Sequence, residues 1–350
     1  MDPEPAYVVA DLGGTTLRTA RFSPATGELS ATDRIGVDGL ARAPRASVEV
    51  LQQRVVGQLT GALARFLDSP AGRGVTAVGL AFAGPVTSEG AVTGAPTVWG
   101  EGGAPLRLGA VLEGKLGLPV LIANDMSAAA YRYADGPGRE DFCLITVSSG
   151  IGNKVFRGGE ILIDRDGHGG ELGHWRVDFA PDAPLCDCGG RGHLGAVASG
   201  RGMRAAARRA AEKSPDAYRS SVLARLAGPD PEDISNENLA AAIRQGDPFA
   251  ADVLAGGLRP LASAIGSVFA SIGIRRYIII GGFALAVGEP YLEALRDEVA
   301  AVGCFGLSAR EAREMITLGR PDDDHGLIGM GRMLDARLGP QAGENVPCVS

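Results

Sequence analysis

The sequence predicts an α/β protein with two similar lobes, and three observations support this fold class. First, apolar strand patterns alternate with helical patterns along the 350 residues. Second, an order of three strands, helix, strand and helix (βββαβα) begins near residue 6 and starts again near residue 142. Third, glycine pairs stand at the ends of several apolar runs, where tight turns let the backbone approach a ligand. A duplicated unit of this kind predicts two lobes that face a cleft.

The elements of the first lobe follow from apolar spacing and turn residues. Turns rich in Gly separate the first three strands, and apolar residues at helical spacing mark the first long helix. We expect strands at 6–11, 15–22, 28–34, 75–82 and 119–125, and helices at about 46–68 and 107–115.

The second lobe begins with three strands and continues mostly as helices. We expect strands at 142–147, 153–157, 160–164 and 276–280, and helices at about 199–213, 217–227, 236–244, 248–272, 289–302 and 325–337. The lobes are predicted to span 1–124 and 125–324, with the last helix, about 325–338, packing back on the first lobe. Residues 339–350 are expected to form a disordered tail.

Composition excludes several classes of function. The net charge is −7, and the only basic run is the short RAAARRAAEK of a predicted helix, so nucleic-acid binding has little support. The N-terminal segment lacks the pattern of a secretory signal. Arg259 and Pro260 interrupt the most apolar stretch, which favours a buried helix over a membrane span. We therefore expect a cytoplasmic protein that binds neither nucleic acid nor membrane.

Two glycine turns have the residues needed to bind phosphate. In VVADLGGTTLRTARF an apolar strand ends on an aspartate, and two glycines and two threonines follow it. In LITVSSGIGNKV, serines and glycines stand at the corresponding turn of the second lobe. Two such hairpins could hold a polyphosphate, although an ordinary β-hairpin explains each of them equally well. The segments GxxxxGK[ST] and GxGxxG are absent.

Asp125 ends the apolar strand PVLIAND just before a helix pattern. A carboxylate at the end of such a strand can accept a hydroxyl proton. The same residue can simply cap the helix, and this segment alone favours the cap. Its neighbour Asn124 could bond a substrate hydroxyl or act as the cap.

The segments GHGGELGHW (167–175) and CDCGGRGH (186–193) combine histidines and cysteines at short spacing. Their thiolates and imidazoles are the ligand types and number of a closed, structural zinc site, which leaves no metal-bound water to activate. The predicted ligands are His174, Cys186, Cys188 and His193. His168 is an alternative fourth ligand, and reduced cysteines in a flexible loop are the alternative to a metal site. Glu171, three residues before His174, could be held by this loop for substrate binding or form a surface salt bridge.

The strand RYIII runs into Gly281 and Gly282 before another helix begins. Exposed backbone at such a corner could accommodate an adenine or a ribose. A plain strand-to-helix turn is equally consistent with the segment.

Together these motifs resemble the ROK family (repressors, open reading frames and sugar kinases), of the actin-like, hexokinase-type ATPase fold with ribonuclease H-like lobes. The resemblance extends in order from DLGGTT through GLAFAGPV, PVLIANDMSAAA, SSGIG, GGELGH and CDCGGRGH to IIIGGFA. It implies that ATP and Mg²⁺ bind at Asp11, Gly13, Gly14, Thr15, Thr16, Ser149, Gly150, Gly152, Gly281, Gly282 and Phe283. It also implies Asp125 as the catalytic base, substrate contacts from Gly84, Asn124, Glu171 and His174, and zinc in the Cys/His loop. Family members commonly form homodimers.

The sequence departs from the family pattern at positions that concern the acceptor. His193 replaces a third cysteine, and Gly195 replaces a glutamate that in family glucokinases contacts the sugar near its anomeric end. Ala95 stands where the family often has an asparagine, and the second phosphate turn is poorer in Gly and Thr. An acceptor without an anomeric hydroxyl would lose least from these changes.

We therefore predict a kinase for a primary hydroxyl of a polyol, leaning to a C7-cyclitol of the valiolone type in an aminocyclitol pathway. The alternatives are a glucokinase or N-acylhexosamine kinase and, from another class, a non-catalytic sugar-sensing regulator. Family regulators carry an N-terminal helix-turn-helix, for which few residues precede the first strand here.

Overall fold

The computed structural model describes residues 5–134 and 140–339. These residues form two compact units. The first unit comprises 5–134, 163–169 and 322–339, and the second comprises 140–162 and 170–321. The predicted disordered tail lies outside the described residues from position 340 onward.

The strands and helices of the described residues are numbered in chain order. The strands are β1 Ala6–Leu12, β2 Thr16–Phe22, β3 Leu29–Gly36, β4 Val75–Phe82, β5 Val120–Asn124, β6 Phe142–Val147, β7 Ile151–Arg157, β8 Glu160–Ile161, β9 Tyr277–Ile280 and β10 Ile316–Leu318. The α-helices are α1 Val48–Asp68, α2 Leu108–Leu116, α3 Asp125–Tyr131, α4 Leu194–Ala198, α5 Gly200–Lys213, α6 Pro215–Ser220, α7 Val222–Ala227, α8 Asn236–Arg244, α9 Pro248–Ile272, α10 Gly282–Val287, α11 Glu289–Val302, α12 Ala309–Glu314 and α13 His325–Leu338.

The two units contain sheets of the same topology. The first sheet has the order β3-β2-β1-β4-β5, and the second has the order β8-β7-β6-β9-β10. In each sheet the central strand pairs antiparallel with the hairpin strand on one side and parallel with the strand on the other. This correspondence confirms the duplicated α/β fold that the sequence predicted.

Helices cover the first sheet because each presents an apolar or a small face to it. The apolar stripe of α1, from Leu51 to Leu63, joins strand residues such as Val8 and Leu80 in one core. Helix α13 packs closely on β4 at Gly79, because a Cβ at this glycine would lie 2.6 Å from a side-chain carbon of Met330 in α13. Burial of these faces is the main source of stability of the unit.

Helix α3 belongs to the first unit. A Cβ at Gly329 of α13 would lie 1.8 Å from the carbonyl oxygen of Ala128 in α3. This approach ties α3, and with it Asp125, to the sheet that also carries Asp11. Helix α13 belongs to the same unit.

Several elements differ from the sequence prediction for local reasons. The helix expected at 217–227 is two helices, because the extended Ser221 between them ends α6 and caps α7 through its side chain. The short elements α4, α12 and β10 were not predicted. Elements of three to six residues show too little periodicity to be distinguished from loops.

Helix α9 is long and apolar enough to cross a membrane by the criteria of length and composition alone. A core helix of a globular protein meets the same criteria. Leu254, Leu258, Leu261 and Ile265 of α9 are buried in the core of the second unit, together with Tyr277 of β9. These contacts match the buried helix that the sequence favoured.

Candidate functional site

Asn124 and Asp125 lie at the junction of β5 and α3, and Asn124 is the helix cap. Its side-chain oxygen accepts hydrogen bonds from the backbone N–H groups of Met126 and Ser127, at 3.1 and 3.2 Å. Its side-chain nitrogen donates to the Gly84 carbonyl at 3.1 Å and to Oδ1 of Asp125 at 2.9 Å. An amide side chain has an oxygen that accepts and an NH₂ group that donates two hydrogen bonds, and these four bonds use both groups. Asn124 therefore orients Asp125, and its contact with substrate stays a prediction.

Asp125 is held in one orientation by two donors on the same oxygen. Oδ1 accepts from the Asn124 side chain and from the Met126 N–H at 2.8 Å. The residue is partly exposed. A partly exposed carboxylate fixed at a strand end has the geometry expected of a general base, because its position is set before a substrate binds.

Two glycines of the first unit permit close packing of the loops beside Asp125 and Asp11. A Cβ at Gly84 would lie 2.2 Å from the carbonyl oxygen of Gly94, and one at Gly14 would lie 2.7 Å from that of Thr97. Side chains at these two positions would displace the backbone of segment 94–97. The predicted roles of Gly84 and Gly14 thus have a structural component in addition to any ligand contact.

Asp11, at the end of β1, has a strongly shifted acidity. Burial raises the pKa of its carboxyl group to about 7, and the negative charge of Asp125 contributes to the increase. Arg18, its cross-strand partner on β2, acts in the opposite direction. A cation bound beside Asp11 would relieve its repulsion with Asp125.

A network around Asp11 was not predicted from the sequence. Arg18 is buried and forms ion pairs with Asp323 and Asp324, just before α13. A Cβ at Gly326, in the first turn of this helix, would lie 2.9 Å from Oδ2 of Asp11. The arginine thus fixes the start of α13 against the Asp11 carboxyl group. The acidic run PDDDHG was the available sequence signal, but it gives no indication of its partners.

The Asp11→Asn substitution is expected to stabilise the ligand-free protein at pH 8. Because the folded-state pKa is raised above the unfolded value, the folded protein binds the proton more tightly, and wild-type stability falls as the pH rises from about 4 to about 7. Removing the ionisable group should therefore increase the free energy of unfolding at pH 8 by roughly 2–4 kcal/mol. Denaturant unfolding of both proteins at pH 5 and pH 8 measures this difference.

Asp33→Asn is the matched control, since Asp33 lies exposed on β3 of the same sheet. We expect its unfolding curves to follow the wild type at both pH values. Equal pH dependence in Asp11→Asn and wild type would contradict the assigned pKa shift.

The second glycine turn and the Gly281–Gly282 corner lie together in the second unit. A Cβ at Gly281 would lie 2.6 Å from the backbone nitrogen of Val147, and one at Gly282 would lie 3.9 Å from Oγ of Ser148. Apart from Gly150 and its two chain neighbours, no described residue has a heavy atom within 4 Å of a Cβ position at Gly150. The two predicted nucleotide motifs of this unit are thus neighbours, with open space at Gly150.

Phe283 differs from the other residues predicted to bind the nucleotide. Its side chain is only 4% exposed and belongs to the hydrophobic core, where it packs edge-on against Tyr291. Its Cβ also lies 2.9 Å from the Cβ position of Gly200, at the start of α5. The Phe283 side chain therefore packs in the core beneath the Gly281–Gly282 corner. Only the backbone of Phe283 is placed to contact a ligand.

Glu171 caps a single 3-10 turn, Leu172–His174, and His174 is the last residue of this turn. Asn153 of β7 accepts the Leu172 N–H on its side-chain oxygen at 2.9 Å. Gly173 packs on the same strand, since a Cβ there would lie 2.0 Å from the Ile151 carbonyl oxygen. The turn that carries both predicted acceptor contacts is therefore fixed to β7.

The structure brings together the four predicted metal ligands. One ligand atom from each of His174, Cys186, Cys188 and His193 lies within 4.8 Å of all the others. Cys188 Sγ is 3.2 Å from Nδ1 of His193, and Cys186 Sγ is 3.8 Å from Nδ1 of His174. Ligands of a tetrahedral zinc ion are separated by about 3.3–3.8 Å. The donor set and its spacing thus fit zinc.

His168 does not join this cluster. Its Nδ1 lies 3.2 Å from a carboxylate oxygen of Asp164, and both residues belong to the first unit. The structure therefore selects His193 over His168 as the fourth member of the group. Gly192 permits this loop to close, because a Cβ there would lie 1.8 Å from the Asp178 carbonyl oxygen.

Comparison with known proteins gives matches over almost the whole chain. The model of the ROK family matches residues 9–336. The chain is 53% identical over 346 residues to a C(7)-cyclitol 7-kinase of Streptomyces hygroscopicus subsp. limoneus, which covers 98% of each protein. It is 30% identical to a 2-epi-5-epi-valiolone 7-kinase of an Actinoplanes species, over 88% of this chain and 86% of that protein.

A solved structure gives the same result for the fold. The ROK family glucokinase from Streptomyces griseus, in complex with glucose and AMPPNP, superposes with a TM-score of 0.70 at 26% identity. The superposition covers 94% of this chain and 98% of that one. It confirms the predicted actin-like fold class. The chain belongs to the ROK family.

Proposed function

We propose that the protein is an ATP-dependent kinase that phosphorylates a primary hydroxyl group of a C7-cyclitol. The near-full-length similarity to a C(7)-cyclitol 7-kinase carries this proposal. The oriented Asp125 carboxylate and the neighbouring nucleotide motifs of the second unit support a phosphoryl-transfer enzyme. They count against the non-catalytic regulator as the alternative.

In the proposed reaction Asp125 accepts the proton of the attacking hydroxyl group. Asn124 and the Met126 N–H keep the carboxylate in position, so no reorganisation is required when the substrate arrives. Glu171 and His174 bind other hydroxyl groups of the acceptor and thereby select which hydroxyl reacts. Positioning of this kind accounts for most of the catalysis of phosphoryl transfer.

The turn around Gly150 and the Gly281–Gly282 corner are the proposed nucleotide contacts of the second unit. The Asp11–Thr16 turn is the proposed phosphate contact of the first unit. Mg²⁺, when bound with ATP, neutralises charge on the phosphate groups during transfer. The carboxyl group of Asp11 is the proposed contact of this turn with such an ion. Thr15 and Thr16 add hydroxyl groups to the Asp11–Thr16 turn, and their Oγ1 atoms lie 3.4 Å apart.

Gly195 supports a cyclitol over glucose as the acceptor. A Cβ at this position would lie 3.1 Å from the carbonyl oxygen of Gly173, within the turn that carries the proposed acceptor contacts. A glutamate at this position would therefore begin beside that turn, and this chain lacks its carboxylate. The absence removes a contact for an anomeric hydroxyl, which a cyclitol does not have.

We further propose that the Cys/His cluster holds a structural zinc ion. All four ligand positions would be filled by protein, so the ion would shape the loop and activate no water. Nδ1 of His174 lies 3.8 Å from Cys186 Sγ, and coordination through this atom would leave the second ring nitrogen for an acceptor hydroxyl. We also propose that the protein forms a homodimer and is located in the cytoplasm.

An ATP-coupled assay across valiolone-type cyclitols, glucose and N-acetylmannosamine tests the proposed acceptor. We expect kcat/KM for the best cyclitol to exceed that for glucose by at least about 10³-fold, because a site built for specific hydroxyl groups discriminates strongly against mismatched ones. The same preparation without acceptor measures background ATP hydrolysis. Comparable efficiency with glucose would indicate a glucokinase, and no phosphorylation of any acceptor would favour the regulator.

A further inference from the structure

Lys154 of β7 is a buried charged residue close to the proposed acceptor contacts. Its side chain is only 5% exposed. Lysine is rarely buried to this extent unless its charge is paired, because transfer of an ammonium group from water costs several kcal/mol. In this strand the directly opposite residue on β6 is Leu144, which is itself fully buried. Neither water nor the opposite residue on β6 therefore stabilises the charge of Lys154, and another group must do so.

Glu171 provides the opposite charge. The Nζ atom of Lys154 lies 3.7 Å from Oε1 of Glu171, whose side chain is 63% exposed. This distance gives an ion pair but exceeds that of a hydrogen bond. The ammonium group therefore attracts the carboxylate towards β7 and leaves its oxygen lone pairs for donors from a ligand.

The chain around this pair is arranged for close approach. Gly170, which precedes the glutamate, has a φ of +74°, and a Cβ there would lie 3.0 Å from Cδ of Lys154 and 2.3 Å from the Asn153 carbonyl oxygen. The next residue of the turn, Leu172, donates its N–H to the Asn153 side chain at 2.9 Å. Two consecutive residues of β7 thus hold the turn, one by a hydrogen bond and the other by charge.

We infer that Lys154 is a positioning residue that holds the Glu171 carboxylate in the orientation that binds the acceptor. The inference rests on the proposed role of Glu171 in acceptor binding. The half-exposed carboxylate would otherwise sample several rotamers and lose entropy on binding. The paired charge selects one orientation before the acceptor arrives, and it acts on the acceptor only through Glu171.

The Lys154→Met substitution tests this role, because Met keeps the length of the side chain and removes its charge. The variant is expected to fold, since Met is apolar and suits a buried position, and since Glu171, 63% exposed, stays solvated without the lysine. We expect kcat/KM for valiolone to fall by about 10²-fold, the effect of a misplaced contact group, with KM for ATP unchanged. Glu171→Gln should give a similar loss, and the double variant should be no worse than Glu171→Gln alone.

Lys213→Met, at an exposed position of α5, is the control and should match the wild type in all parameters. Additive losses in the double variant, or an unchanged Lys154→Met enzyme when Glu171→Gln is impaired, would overturn the inference and leave the proposed function intact. An equal rise in KM for ATP, with a lower melting temperature, would indicate a general structural role and overturn it too. An unimpaired Glu171→Gln enzyme would instead contradict the proposed role of the glutamate.

Discussion

The Asp125→Asn enzyme is expected to show a kcat lowered by about 10²–10⁴-fold, the contribution of a positioned general base. Asparagine keeps the size of the side chain and an oxygen that can accept the Met126 N–H at the Oδ1 position. It removes the group that takes the proton, so the loss should appear in kcat. KM for ATP should change little, because no proposed nucleotide contact is altered. Steady-state kinetics with saturating ATP and a cyclitol acceptor measure both quantities.

The same variant gives a second, independent signal. The charge of Asp125 contributes to the raised pKa of Asp11, so its removal should lower that pKa and increase stability at pH 8. Asp68→Asn, at the exposed end of α1, is the control for loss of a negative charge and should behave as wild type. A kcat within about tenfold of the wild type would remove Asp125 from the role of base.

Loss of the proposed zinc ion is expected to produce the largest effect on stability. Cys188→Ser removes one of four ligands in the Cys/His cluster and should reduce the metal content from one zinc per chain to near zero. A site filled at about a thousand times its Kd contributes about 4 kcal/mol to stability. For a unit of about 175 residues this loss should lower the melting temperature by roughly 8–16 °C. Elemental analysis and thermal unfolding measure the two effects.

His168→Ala separates the cluster from the alternative ligand. Since His168 pairs with Asp164 in the other unit, this variant should retain the metal and the wild-type melting temperature. His193→Ala should behave like Cys188→Ser. A wild-type protein that purifies without zinc and does not gain stability when zinc is added would contradict the assignment.

Local sequence was largely sufficient to predict which side chains of the candidate site carry its chemistry. Asp11 is the next-to-last residue of β1, and Asp125 directly follows the last residue of β5. The apolar pattern gives the end of each strand, and it therefore places both carboxyl groups at the edge of a sheet. The ligand types and number of the Cys/His loop likewise predicted a metal site. The duplicated order of strands indicated the fold class.

Sequence separation explains what local patterns could not provide. Arg18 and Asp324 are 306 positions apart, and Arg132 and Asp322 are 190 apart, so no periodicity relates them. The residue pairs that set the position of α13 therefore appear only when the chain is folded. Phe283 illustrates the opposite case, because its motif suggested a ligand contact while packing places its side chain in the core.

The sequence by itself determined the fold class, the position of Asp125 at a strand end and the ligand types that the Cys/His loop offers, since all three depend on residue type and short-range spacing. Tertiary structure alone decided that His193 and not His168 joins the cysteines, that Asn124 orients Asp125, and that Lys154 lies against Glu171. These features depend on which strand, turn and loop meet in space. The physical reason is that hydrogen bonds and ion pairs act over a few ångströms, whatever distance separates their members along the chain.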